Sequence, residues 1–444
     1  MVLLLALAMH TATAETQATT TVFVNVTLVH PERDEIVAGQ TIIVEGERIQ
    51  SIAANEIVKL SADAHIIDGT DQFLSPGLVE MHAHVPEARM GQEYLQDTLF
   101  LWVAHGITTI RNMSGEPDHL ILREKLAQHE VLGPRMYTSG PRFSGARVKD
   151  AGGRVAAQAD AGYDLIKVHM KLAPSVYDDV VAAASEHQID VAGHVAEDIG
   201  LWRALEAKQK SIDHLDAYFR AMVPEDVDVS EIKDQLLGLA YMPYIDPESM
   251  TLVAQATADA GIWNAPTLTL AENFIGPYDT AASAVELQYL PPRIAKSWIA
   301  IVTGFQKTLA DPEQAQEFLS ARKQLVKALH DVDAGLLLGS DTPQMMNVPG
   351  FSTHNELDLL IEAGLSPAEA ITAGTVNPAI YFDAENSFGR IQKGLAADFI
   401  LSRDNPLNNP KTLRTPKGVM VRGRWLDEDE LRSGLAAIAR KNAQ

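Results

Sequence analysis

Hydrophobic and polar positions alternate along the first part of the chain and then change rhythm. Over residues 21–60 the segments TVFVNVTLVH and TIIVEGERIQSI alternate with the period of a strand, and PERD and EGER mark turns. The same character returns late in the chain, in FGRIQKGLAADFILSRDNP and VMVRGRWL. Two β-rich flanks around one centre predict a small β-sandwich satellite built from residues 15–73 and 385–430, with a helical tail at 431–444.

Between the flanks, in residues 74–384, short apolar runs recur: FLSPGLVEMHAHV, GITTIRNM, PRMYTSGP, YDLIKVHM, IDVAGHV, KSIDHLD, IWNAPTLTL and AGLLLGSDTP. Stretches with helical periodicity, such as PSVYDDVVAAASEHQ and DPESMTLVAQATADAG, lie between most of them. Proline at the first helical position and glycine after the last fit helix start and stop signals. Eight strand–helix units predict an α/β chain folded as a (β/α)8 TIM-type barrel. An open doubly wound sheet is the alternative. It would usually carry a glycine-rich phosphate loop after an early strand, and neither G-x-G-x-x-G nor a Walker pattern is present.

Composition narrows the chemistry. Hydrophobic residues make up 46% and charged residues 21% of the 444 residues, as in an ordered soluble globule. The formal net charge of −23 leaves no basic footprint to neutralise phosphates, so nucleic acid is not an expected partner. With no cysteine, disulfides, thiolate ligands and a cysteine nucleophile are excluded, and any metal must be held by nitrogen and oxygen. The start, MVLLLALAMHTATAE, reads as a secretory signal over residues 1–14. Its apolar run is too short to span a bilayer, and Ala12-Thr13-Ala14 gives a small-x-small cleavage pattern. A periplasmic or secreted protein is expected from that reading, and a cytoplasmic one without it. No other segment approaches the ~20 apolar residues of a membrane helix, so no membrane partner is expected.

In a barrel, chemistry sits where strands end. The first run ends in His82-Ala83-His84, and residues two apart on a strand face one side. The fourth holds Lys167, with His169 on the same face. The fifth ends in His194, the sixth in His214, and the eighth in Asp341. A lone histidine at a strand end is ordinarily a hydrogen-bonded core or loop residue. Asp341 alone would serve as an N-cap before Thr342-Pro343. Four histidines, a lysine and an aspartate at five predicted strand ends make a different case, that of a metal site. Imidazole and carboxylate suit Zn²⁺, with Mn²⁺, Co²⁺ or Fe²⁺ as substitutes. The set exceeds the needs of one tetrahedral ion and fits two, which require a bridging anion. No glutamate lies in the fourth run to supply it. A lysine ammonium cannot bind a cation, but a desolvated, neutral amine can add carbon dioxide, and the carbamate at Lys167 would then serve as the bridge.

These residues together resemble the amidohydrolase superfamily of metal-dependent hydrolases. The resemblance runs through the β-rich flanks, SPGLVEMHAHV, LIKVH, AGHV, SIDHL, LLGSDTP and GRIQKGLAADFIL. It implies that His82, His84, carbamylated Lys167 and Asp341 bind the more buried ion, and Lys167, His194 and His214 the more exposed one. It further implies a bridging hydroxide as nucleophile, with Asp341 taking its proton and passing it to the leaving nitrogen. Within the superfamily, VPGFSTHNELDLLIEAGLSPAEAI and TIRNMSG resemble the prolidase-like and carboxypeptidase-like branch, with imidazolonepropionases more distant. That branch implies a small-molecule amide substrate, a dipeptide (Xaa-Pro included) or N-acyl amino acid, and often a homo-oligomer. Many of its members carry a glycine-histidine element after the third strand. Here GPRFSGARVKDAGG has no histidine, which leaves the substrate open.

Four further residues are candidates for substrate contact. Arg142 has a planar fork suited to a carboxylate, or else is a surface arginine. Tyr218 could donate to a carbonyl oxygen or carboxylate, or else pack in its loop. His169 could line the pocket or support a ligand. His354 could touch substrate or cap a helix. A cyclic-amide hydrolase or a deaminase of the same superfamily is the alternative activity, and Lys167 speaks against the mononuclear deaminases. A phosphotriester hydrolase would use the same ligands. A non-catalytic barrel would be marked by lost ligands, and all six are present.

Overall fold

The computed structural model describes residues 20–55, 63–232, 237–276, 284–307, 309 and 311–443. The proposed signal segment, residues 1–14, lies outside them. Five strands come first: β1 (Thr20–His30), β2 (Glu35–Glu45), β3 (Arg48–Ala54), β4 (His65–Asp68) and β5 (Phe73–Pro76). Seven short parallel strands follow: β6 (Leu78–Ala83), β7 (Ile107–Asn112), β8 (Arg135–Thr138), β9 (Leu165–Val168), β10 (Asp190–Gly193), β11 (Ser211–Asp213) and β12 (Trp263–Ala265). The chain returns to the first sheet with β13 (Phe399–Ser402), β14 (Gly418–Val421) and β15 (Arg424–Asp427), and a helix over Glu428–Asn442 completes it.

The central strands pair in chain order. β6, β7 and β8 form one parallel set and β9 to β12 another. Isolated parallel bridges join the sets, Ser139 to Leu165 on one side, and Asn264 to Leu336 and Ala83 to Thr342 on the other. The run LLLGSDT, residues 336–342, thus occupies the eighth place. It is held by backbone bonds from Leu337 N to Asn264 O and from Met81 N to Leu338 O, both 2.8 Å. Pairing therefore returns to its start. Every residue of β6, β7 and β9 is buried, as expected for parallel strands covered on both faces. The covering helices begin and end on local signals. Asp311 caps Pro312–Asp331 by accepting from Glu313 N and Gln314 N. Ser366 and Glu369 form a capping box on Pro367–Ala373. The expected helices appear at Pro174–Glu186 and Ser249–Ala260, the latter stopped by Gly261 in the left-handed conformation.

The flanking strands form a single hydrogen-bonded sheet, ordered β15-β14-β13-β5-β1-β2-β3, with β4 also on β1. That sheet is strongly curved. A flat one would separate β1 from β15 by about 19 Å at the usual strand spacing. Instead the Phe23 ring of β1 lies 5.2 Å from the Trp425 ring of β15 and 5.8 Å from Phe399, both edge-on. At the far edge, Arg48 of β3 bridges Ala396, just ahead of β13. Val26, Ile42, Leu74 and Met420 fill the space enclosed.

Phe23→Ala empties the middle of this enclosed core. The expected cost is about 3–5 kcal/mol, read as a lower urea midpoint than that of the unaltered chain.

Candidate metal centre and active-site cavity

Six side chains meet where the ring of parallel strands ends. His82 is the penultimate residue of β6, and His84 follows it. Lys167 lies in β9, while His194 and His214 come directly after β10 and β11. Asp341 comes from the eighth run. His214 and Asp341 both adopt left-handed backbone, with φ of 63° and 65°. Such conformations are costly for non-glycine residues and are held by their surroundings, often at functional sites. Gly193 (φ 124°) has a similar role. A Cβ there would lie 2.7 Å from Lys167 Cδ and 2.4 Å from Val168 O, so glycine lets the lysine stem pass.

The spacing is tight. His84 Nε2 lies 3.0 Å and His82 Nε2 3.5 Å from Asp341 Oδ1, and His214 Nδ1 lies 3.9 Å from Asp341 Oδ2. The His214 ring is 4.6 Å from that of His82 and 4.4 Å from that of His194. Lys167 Nζ is 3.4 Å from His82 Nε2. Neighbours set the ring orientations: His194 Nδ1 pairs with Asp216 Oδ2 at 2.7 Å, and His214 Nδ1 with Thr267 Oγ1 at 2.8 Å. These bonds turn the Nε2 atoms away from Asp216 and Thr267.

The electrostatics favour ligand forms. Burial and the nearby Lys167 charge lower the His82 pKa to about 4, against the pull of Asp341 and Asp213. Burial and the other imidazoles hold His214 well below its usual value. Burial alone would raise Asp341, but His82, His84 and His214 keep it a carboxylate. Burial lowers the Lys167 pKa, with Asp213 and Asp341 opposing. His82, His214 and Asp341 present ligand atoms within 4.8 Å of one another and could hold a metal ion. His214 Nε2 is buried without a hydrogen-bond partner. An orphaned imidazole nitrogen beside a carboxylate and a second imidazole suits a borderline divalent cation.

A cavity of about 1060 Å³ opens over this cluster, and His84, Lys167, His194, His214 and Asp341 all line it. Leu270, Phe274, Phe305 and Met345 give it apolar surface. Arg142 and Lys171 also line it, and neither makes an ion pair among the described residues. His169 lines it too, its ring 4.4 Å from that of His194.

Two of the sequence candidates lie elsewhere. Tyr218 is fully buried, and its hydroxyl is taken up by Thr257 and Asn264, each at 2.9 Å. His354 is buried in the helix Phe351–Glu362, with Nε2 2.9 Å from His105 O. Neither is among the residues lining the cavity. Spacing from a strand end suggested both. The helical turn starting at Tyr218 directs that ring into the core instead.

Buried charges beneath the cluster escaped sequence reasoning. Asp213 accepts from Lys167 Nζ at 3.2 Å and Arg111 Nη2 at 3.0 Å, and all three are buried. Glu80 accepts from His82 N (2.9 Å), Ser340 N (2.8 Å), Ser340 Oγ (2.7 Å) and Thr353 Oγ1 (2.7 Å), tying β6 to the eighth run. Burial pushes its pKa up to about 7. The signal was present, since each is a charge in an otherwise apolar strand: Glu80 in LVEMHAH, Arg111 in ITTIRN and Asp213 in SIDH.

The comparisons with known proteins agree in kind. The family model described as the Amidohydrolase family matches residues 73–426. Ochratoxinase of Aspergillus niger is 24% identical over 314 residues, 67% of this chain and 53% of that protein, so the match spans about half the length of that relative. A bottromycin amidohydrolase structure superposes with a TM-score of 0.73 at 23% identity, covering 95% of this chain and 90% of that one. The structure of a putative prolidase from Bifidobacterium longum gives 0.68 at 20% identity, over 96% and 100%. At these identities the structures show a shared fold.

The His354–His105 pair makes stability depend on pH. Burial, then the charges of Arg414 and His105, lower His354 to about 3, and burial lowers His105 to about 4, from 6.5. The unfolded chain therefore takes up protons first as pH falls. Stability should be complete above pH 6.5 and drain away between there and about 3. Urea midpoints from pH 7 to 4 test this, and His354→Gln should reduce the slope; an equal slope in that variant removes the pair as a cause.

Proposed function

The chain belongs to the amidohydrolase family, hydrolases acting on carbon–nitrogen bonds, and from that premise we propose that it cleaves the amide of a dipeptide or N-acyl amino acid. The observation that carries this reading is the convergence of His82, His84, Lys167, His194, His214 and Asp341 on one cavity. In the same reading the ring of strands is a (β/α)8 barrel over residues 74–384, and the curved sheet from the two flanks is its sandwich-like satellite.

His82, His84 and Asp341, with His194, His214 and Lys167, would hold two divalent ions, zinc in first place. The burial that disfavours an ammonium at Lys167 supports its conversion to a carbamate, in which the amine adds carbon dioxide and gives up a proton. When bound, the ions supply Lewis acidity, both to acidify water and to polarise the amide carbonyl. The chain's own residues do the rest. Asp341, held ionised by the imidazoles around it, accepts the proton of the attacking water and returns it to the leaving nitrogen. Its position on a left-handed turn, fixed by neighbouring strands, keeps the carboxylate in place between these transfers.

Arg142 and Lys171 fit the substrate's end. In a chain of net charge −23, two cations with no ion pair among the described residues line the cavity, and a free carboxylate satisfies them. The apolar surface of Leu270, Phe274 and Phe305 then suits an apolar or aromatic residue. A cyclic-amide hydrolase is the competing reading. It predicts that substrates lacking a free carboxylate are cleaved as well as those bearing one.

A hydrolysis screen over dipeptides, N-acyl amino acids, their carboxamide counterparts and cyclic amides decides between these, with metal content measured on the same sample. The expected result is about two ions per chain and turnover only of the free acids. Turnover of cyclic amides alone sinks the proposal. Lys167→Ala should lose the ion pair. Asp341→Asn should keep the fold and lose about 10²–10⁴-fold in kcat, and near-normal turnover there removes Asp341 as the proton carrier. Arg142→Ala should raise KM with kcat little changed.

A further inference from the structure

One buried carboxylate gathers four strands beneath the metal cluster. Asp213 Oδ1 accepts from Arg111 Nη2 at 3.0 Å and lies 3.4 Å from Ser211 Oγ. Its Oδ2 accepts from Lys167 Nζ at 3.2 Å and lies 3.2 Å from His82 Nδ1. Residues of β6, β7, β9 and β11 are thereby tied to a single side chain. Asp213 is 0% exposed and is not among the residues lining the cavity, so it acts from behind the site. Arg111 is itself anchored: Nε donates to Met81 O at 2.6 Å, and Nη1 to Ser211 Oγ and Tyr381 OH at 2.8 Å each. The guanidinium is planar and permanently charged, so this anchoring fixes the plane of the carboxylate.

Building on the metal-dependent reading, we infer that Asp213 is the positioning residue of the metal site, setting the His82 ring and the Lys167 stem before any ion arrives. Asp213 Oδ2 lies near Nδ1 but outside hydrogen-bond alignment, and its negative charge favours the tautomer with the proton on that nitrogen. Nε2 is then left as the lone-pair nitrogen, on the side where Asp341 Oδ1 lies at 3.5 Å. The same oxygen holds the lysine amine 3.4 Å from that nitrogen, so both groups wait at the place where the cluster forms. The adjoining residues divide the work. Asp213 stays in the strand and points into the buried interior, and His214 turns out of it at φ 63° to face the mouth.

The test uses the full chain stripped of metal with a chelator. Nitrogen-15 spectra of the histidine rings read the tautomer of His82 directly, with His82→Asn used to assign the signal. The expected form carries the proton on Nδ1, and a proton on Nε2 overturns the inference. Zn²⁺ titration against a fluorescent chelator then compares the natural chain with Asp213→Asn, whose amide cannot serve Arg111, Lys167 and His82 together. The expected loss of Zn²⁺ affinity is about 10–100-fold, with an altered Co²⁺ visible spectrum. An unchanged affinity overturns the inference. Thr257→Val is the control for general loosening, because it removes a buried bond to Tyr218 in which Asp213 takes no part. An equal loss of affinity in that variant also overturns it. If Asp213→Asn fails to fold, the tautomer decides. A natural chain that takes up no Zn²⁺ defeats the metal-dependent reading instead, and the His82 tautomer still reports on Asp213 alone.

Discussion

Lys167 is buried in the interior of a ring of strands, and the site is built around making that possible. An isolated ammonium there would be prohibitively costly. Asp213 accepts from the amine at 3.2 Å and from Arg111 at 3.0 Å, and Met81 O, Ser211 Oγ and Tyr381 OH complete the bonds of Arg111. Removing one member of such a buried set leaves an uncompensated charge and costs about 3–5 kcal/mol. The network therefore constrains which residues β7, β9 and β11 can carry at their inward positions.

That constraint is met only because pairing runs right round the ring. β6 touches β7 on one side and the eighth run on the other, so His82 and Asp341 become neighbours although 258 positions separate them in sequence. Glu80 makes the same closure rigid, taking bonds from His82 N and from Ser340 N and Oγ. Its raised pKa reflects the cost of keeping a carboxyl wholly out of water. The six clustered residues are thus fixed by the strands that carry them, and the apolar wall of the cavity comes from the helices Leu268–Ile275 and Pro292–Gln306.

The flanking sheet obeys a separate economy. Its curvature brings Phe23 against Trp425 and Phe399 and covers apolar faces that a flat sheet would expose. Arg422, on the turn between β14 and β15, donates to Ala127 O at 2.6 Å and so links this sheet to the helix Pro117–Ala127 of the central ring. First and last segments of the chain therefore brace one another while the middle forms the site.

Much of this was legible in the sequence. Period-2 alternation gave the flanking strands except β4 and β5, and FLSP, expected at the head of the ring's first run, belongs to the flanking sheet as β5. Apolar runs broken by helical stretches gave all eight places of the ring, because buried parallel strands need continuous apolar runs. The six cluster residues were legible because histidines, a lysine and an aspartate at strand ends have little structural use in such number. The eighth run was expected as a strand and is instead held by isolated bridges, since its glycine and serine residues leave it toward the turn at Asp341. Tyr218 and His354 show the limit. Distance along the chain from a ligand does not say which way a side chain points, and local helix geometry sent both into the core. Asp213, Arg111 and Glu80 show the other side of it. Each is visible as a charge in an apolar strand, but its partner lies on a different strand, and pairing across the ring exists only after closure. The sequence by itself determined which residues could carry the chemistry. The tertiary structure decided which of them meet, because contacts between residues a hundred or more positions apart depend on how the strands close, and local pattern does not encode that.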